Sequence, residues 1–117
     1  MPTDHKIDYL ELPGGDFAAI QAFYSSTFGW KFTDYGPEYT AFTDDKLNGG
    51  FYKSKLQSKQ SAGAALIVLF AADLEGTETK VKASGGTICR EIFSFPGGRR
   101  FHFLDPHGNE LAVWSDK

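Results

Sequence analysis

Apolar and polar residues alternate from Ile7 to Leu12, with Leu10 and Leu12 on one face and Ile7, Tyr9 and Glu11 on the other. That period of two predicts a strand. Pro13-Gly14-Gly15 breaks it, and Asp16 stands as an N-cap for a helix over Phe17–Phe28. Phe17, Ile20, Tyr24 and Thr27/Phe28 recur at helical spacing, and Gly29 supplies a left-handed stop. Strands are expected at 30–35, 39–43 and 47–52, separated by turns at Gly36-Pro37 and Asp44-Asp45-Lys46. The polar run KSKLQSKQSAG then reads as a surface connection. Beyond it lie an apolar strand over 64–71, an Asp73 cap and a helix over 74–84, whose Glu78 and Lys82 are spaced to pair. Gly85-Gly86 ends that helix, and strands follow at 87–95, 99–104 and 110–115.

The two halves repeat one spacing. Asp16 to Gly29 and Asp73 to Gly86 are both thirteen residues, and Tyr9 to Asp16 and Leu66 to Asp73 are both seven. Each half therefore reads strand, helix, strand, strand, strand. The prediction is an α+β chain of two tandem βαβββ modules in a single domain over 1–117. Module one covers about 5–53, the linker 54–63 and module two about 64–116. The last two strands are joined by Asp105-Pro106-His107-Gly108-Asn109, which fits a type I turn. Asp105 is expected to accept turn amides and His107 to face solvent, and Asn109 is able to take a left-handed conformation.

Composition narrows the picture. Eleven Phe, five Tyr and two Trp make 15% of the chain aromatic, enough to fill a core and also to line an apolar cavity. A net charge of −3 offers no basic field for nucleic acid. No apolar run is long enough to span a bilayer, and the first residues lack the pattern of a signal peptide, so the cytoplasm is the expected location. The single cysteine, Cys89, excludes an internal disulfide and is expected to be buried packing rather than a nucleophile.

Phe23-Tyr24-Ser25-Ser26-Thr27-Phe28-Gly29-Trp30 has the form FY-x-x-x-FGW, and the DPHGN turn has the form DP-x-GN. Together with the duplication, these resemble the vicinal oxygen chelate superfamily, which includes glyoxalase I, bleomycin resistance proteins and extradiol dioxygenases. The resemblance covers nearly the whole chain. It implies a glyoxalase-like fold, a curled mixed sheet around a cup, usually within a homodimer. It also implies, for the metalloenzymes of the group, four His, Glu or Gln ligands on the first and last strands of the modules. Carried over by position, that set fails. The first-strand positions hold Tyr9 and Leu66, the final strand holds Ala112, and the fourth strand has no His or carboxylate. No metal ligand is assigned and no cofactor is expected. The alternative is a divalent ion (Zn, Ni, Mn or Fe) held by displaced ligands such as Glu11 and His102.

Two residues remain candidates for catalysis. Glu11 shares a strand face with Tyr9, and a carboxylate in an aromatic pocket serves as acid or base; the plainer reading is an ion pair or a rim position. His102 shares a face with Arg100 and Leu104 and is either a ligand or proton shuttle, or a hydrogen-bonded structural histidine. Arg99 and Arg100 are solvated at a hairpin mouth or clamp an anion. The expected ligand contacts are Tyr9, Glu11, Trp30, Phe42, Tyr52, Leu66, His102, Ala112 and Trp114, with Tyr39 a further aromatic candidate. Three functions stay open. The first is a homodimer binding a small aromatic or apolar molecule, with neither nucleic acid nor membrane as partner. The second is a lyase, isomerase or dioxygenase-type enzyme using displaced ligands or Glu11. The third is a paralogue that binds nothing.

Overall fold

The computed structural model describes residues 2–117. The element order is β1 (Tyr9–Gly14), α1 (Phe17–Phe28), β2 (Lys31–Asp34), β3 (Tyr39–Thr43), β4 (Asn48–Lys53), β5 (Ile67–Phe70), α2 (Leu74–Ala83), β6 (Thr87–Phe95), β7 (Gly98–Leu104) and β8 (Glu110–Ser115), with one 3-10 turn at Gln60–Ala62. The two βαβββ modules expected from the spacing are present. Each forms its own four-stranded sheet, ordered β1-β4-β3-β2 and β5-β8-β7-β6, with a parallel pair at β1–β4 and at β5–β8. The two sheets are not closed on each other.

Both helices start where the sequence put them. Asp16 accepts from the Ala19 amide at 3.1 Å and Asp73 from the Gly76 amide at 3.0 Å. Gly29 ends α1 at φ 73°, with its N–H on Ser25 O. The expected Glu78–Lys82 pair gives way to another ion pair, in which Arg99 donates to both carboxylate oxygens of Glu75 on α2, at 2.6 and 3.2 Å. Strand β1 begins two residues later than its alternation suggested and runs through Pro13. It lies at a sheet edge, where a residue without an N–H costs no ladder bond. Strand β5 is shorter than its apolar run, because Ala64 turns back to Lys59 O before the ladder begins.

The two sheets share one core. Leu12, Phe42 and Phe51 of the first sheet, Phe101, Phe103, Leu111 and Val113 of the second, and Ile20, Phe23, Tyr24, Leu74 and Val81 of the helices form a single buried cluster. Helix α1 reaches across the modules, with Phe23 and Phe28 each 5.8 Å from the Phe103 ring. Residues of alternate parity point the other way on every strand. Each sheet therefore has an outer face turned from the core.

The linker is fastened to the DPHGN turn. Gln57 Nε2 donates to His107 O, the Ser58 amide to Asn109 Oδ1, and the Glu110 amide to Ser58 O. Asp105 behaves as expected, accepting with Oδ1 from the amides of His107, Gly108 and Asn109 at 2.9–3.0 Å. Two details of the turn differ. The left-handed residue is Gly108 (φ 98°), not Asn109, because the Asn109 side chain is committed elsewhere: its Nδ2 donates to Pro13 O and to Asp105 Oδ2. His107 is half-buried, with Nε2 2.7 Å from Leu56 O, so it holds the linker rather than facing solvent alone.

Candidate functional site: the outer faces of the two sheets

On β7, Phe101 and Phe103 enter the core, so Arg100, His102 and Leu104 occupy the outer face. On β8 the same logic puts Leu111 and Val113 inside and Glu110, Ala112 and Trp114 outside. Register places Ala112 opposite His102 and beside Val68, and Trp114 opposite Arg100 and beside Phe70. Leu66 directly precedes β5.

Strand β6 completes this face through a local irregularity. Arg90 pairs with His102 and Phe93 with Arg100, so one extra residue is accommodated between them. A bulge of this kind turns two residues of odd separation to one side. Arg90 and Phe93 thus both join the outer face, while Ile88 and Ile92 pack on the core. The Arg90 guanidinium carbon lies 3.7 Å from the Phe93 ring centre, and that of Arg100 lies 5.2 Å from Phe93 and 5.7 Å from Phe95. Trp114 sits 5.3 Å from Phe70 and 6.3 Å from Phe95. Phe70 remains 55% exposed and Val68 41%.

His102 is only 1% exposed. Its Nδ1 is 2.8 Å from Glu110 Oε2, and Glu110 Oε1 accepts from the Gln60 amide. The His102 hydrogen bond holds the Glu110 carboxyl below its usual range, against an opposing push from burial. Glu110 is therefore a carboxylate facing Nδ1, and in the tautomer that carries its proton on Nδ1 the ring turns the lone pair of Nε2 to the other side. That Nε2 is buried without a hydrogen-bond partner, and so is Nε of Arg100 two residues away on the same face.

The outer face of the first sheet carries a different chain of bonds. Tyr9 Oη lies 2.6 Å from Tyr39 Oη, which donates to Glu11 Oε2 at 3.0 Å, so the run is Tyr9 to Tyr39 to Glu11. Burial, then the hydrogen bonds to Tyr9 and Glu11, raise the Tyr39 phenol above its ordinary value. The ring crosses Gly50, where a Cβ would collide with it. Beside it an open cleft of about 430 Å³ is bounded by Tyr9, Lys31, Thr33, Tyr35, Ala41 and Thr43, among others. A depression of similar volume between the N-terminal segment and Lys46–Asn48 contains no aromatic or histidine.

Several expectations change on these positions. Trp30 does not present a ligand-facing surface: it is 6% exposed and stacked between Tyr24 and Phe42, at 4.5 and 4.4 Å, whereas Phe42, though buried, borders the open cleft. Helix α1 lies over the face of the sheet on which Trp30 packs, and that decides it. Glu11 is exposed and bonded to Tyr39 instead of sitting in an aromatic pocket, a rim position. Cys89 is exposed rather than buried, because it falls at the first irregularity of β6 between Ile88 and Arg90. Glu11 and Tyr9 lie on one outer face, and His102, Ala112 and Trp114 on the other, so one chain does not bring the two candidate catalytic residues together.

The donor chemistry for a metal fails at the inherited positions. Leu66 and Ala112 have no donor atom, β4 offers no His or carboxylate, and the Tyr9 hydroxyl is bound to Tyr39. Among the described residues no group of three or more His, Cys, Asp or Glu side chains converges for an ion. No helix among them is long and apolar enough to cross a membrane.

A family model for the Glyoxalase/Bleomycin resistance protein/Dioxygenase superfamily matches residues 6–113. The chain belongs to that superfamily. The superfamily fold is also found in solved structures. A glyoxalase/bleomycin resistance protein/dioxygenase family enzyme from Burkholderia phytofirmans PsJN aligns over 95% of this chain and 100% of its own, at 16% identity and TM-score 0.77. A glyoxalase-related enzyme from Fulvimarina pelagi aligns over 95% and 88%, at 19% identity and TM-score 0.75. Lactoylglutathione lyase from Agrobacterium tumefaciens aligns over 97% and 95%, at 19% identity and TM-score 0.72. No curated protein matches the chain. At these identities the likeness to superfamily members is one of fold, and the chemistry has to be argued from side chains.

Proposed function

We propose that the protein binds a small aromatic molecule on the outer face of β5-β8-β7-β6, in a cup completed by the outer face of the first sheet of a second copy. The supporting observation is the apolar surface around Trp114: Phe70, Val68, Phe93 and Phe95 lie on a sheet face with no helix over it, and about half of Phe70 and two-fifths of Val68 are exposed. A contiguous patch of that kind on a small chain marks a site that something else covers. The first sheet offers the complementary half, a cleft rimmed by Tyr9, Tyr35 and Lys31.

Each half is open alone, so binding and dimerisation are coupled in this reading. Light scattering is expected to give a dimer, and a thermal-shift screen of aromatic compounds is expected to raise Tm by mass action. Phe70→Ser is expected to reduce both. A monomer whose Tm no aromatic compound moves would end the proposal.

A further inference from the structure

The pair His102–Glu110 is not accounted for by binding an aromatic ring. A buried imidazole normally spends both nitrogens, and an orphaned polar atom in the interior costs about 1–3 kcal/mol. Here Nδ1 is held by Glu110 at 2.8 Å while Nε2 has nothing, and the neighbouring donor, Arg100 Nε, has nothing either. Two unmet groups of opposite sense, one acceptor and one donor, sit on alternate residues of one strand beside the Phe93 ring, which is 5.9 Å from the imidazole. A hydroxyl answers both senses: its O–H donates to an acceptor such as Nε2, and its lone pair accepts from a donor such as Arg100 Nε.

We infer that the aromatic ligand carries an acidic hydroxyl, a phenol or an enol, and that His102 takes its proton. This rests on the aromatic-binding reading above and specifies its ligand class. The ligand O–H bond breaks as an Nε2–H bond forms. The imidazolium is balanced by the Glu110 carboxylate already on Nδ1, and the oxyanion stays against Arg100, with no further reactant. The charged and titratable groups around the ring are Glu110 and Arg100 on its own hairpin and Arg90 across from it in β6, with Cys89 and Lys59 near Glu110. The two arginines favour the anion. Nε2 has no solvent exposure, so entry requires a neighbouring side chain to give way. Arg90, exposed and resting on Phe93, is the one free to do so.

The test uses the intact protein and two probes with the same ring, 4-nitrophenol and its methyl ether 4-nitroanisole. At a pH where free 4-nitrophenol is mostly protonated, binding is expected to bring up its phenolate absorbance band. His102→Gln is expected to remove that band and weaken 4-nitrophenol roughly ten- to hundredfold, the worth of one hydrogen bond to a charged group, with a much smaller effect on 4-nitroanisole. Arg100→Met, at a half-buried position, is expected to weaken 4-nitrophenol selectively as well and serves if His102→Gln does not fold. Equal binding of both probes, with no phenolate band and no selective loss in the variants, overturns the hydroxyl inference and leaves aromatic binding standing. Failure of both probes to bind overturns both.

Discussion

Tyr24→Phe is the sharpest test of how the fold is held together. Tyr24 is fully buried in α1, and its hydroxyl donates to Asp105 Oδ2 at 2.8 Å, tying the first module's helix to the second module's last turn. Phenylalanine fills the same space, so the change removes one bond to a buried carboxylate without leaving a hole. Asp105 keeps its three backbone amides and Asn109 Nδ2. A hydrogen bond to a charged group contributes about 1.5–3 kcal/mol. With an unfolding entropy of about 2.1 cal/mol/K per residue, a chain this long loses about 4 °C of Tm per kcal/mol, so the expected drop is about 6–12 °C. A second signature lies in alkali. Burial first, and the adjacent Asp105 charge next, raise the Tyr24 phenol well above its ordinary value of 10. The folded chain therefore keeps a proton that the unfolded chain loses. Stability is whole below pH 10 and falls as the pH climbs past it, by up to about 1.4 kcal/mol per pH unit for one group. Tyr39 contributes in the same sense and remains in the variant. Urea melts from pH 8 to 11 should show a shallower alkaline limb for Tyr24→Phe than for the parent. An unchanged Tm, or parallel limbs, would refute the argument.

Two further changes probe the same assembly. Asn109→Ala strips the Pro13 and Asp105 acceptors and the Ser58 amide of their partner at a fully buried position; about 2–4 kcal/mol should be lost in a chemical melt, and a loss under about 0.5 kcal/mol would contradict the geometry. Glu110→Gln acts on the acid limb. Because the folded carboxyl sits below its usual range, its contribution is present above the unfolded value and lost as the pH falls through the folded one, so parent and variant stabilities should converge towards acid and separate near neutrality.

The repeat was readable from spacing because caps and glycine stops are local: Asp16, Asp73 and Gly29 act on their own neighbours, whatever the tertiary structure. Faces were less readable. Trp30 looked like a cup residue because aromatic content does not say which side of a sheet a helix covers. The bulges in β6 break the alternation that a regular strand over 87–95 assumes, which hid Arg90 and Phe93 and misplaced Cys89. Glu110 was within reach: pairing Leu104 with Glu110 across the DPHGN turn makes it the diagonal neighbour of His102. The link from Tyr24 to Asp105, 81 residues apart, had no local trace.

The segment that composition marks as a loose spacer is a strap. Ser54 is tied to Gly14 at one end, and Leu56, Gln57 and Ser58 are stitched to the turn that closes the last hairpin. A slack tether would let the two modules part and re-pair with those of another chain. This one is bonded along its length to a turn that is itself pinned to Tyr24 in the core. Trading halves between chains would first have to break those bonds.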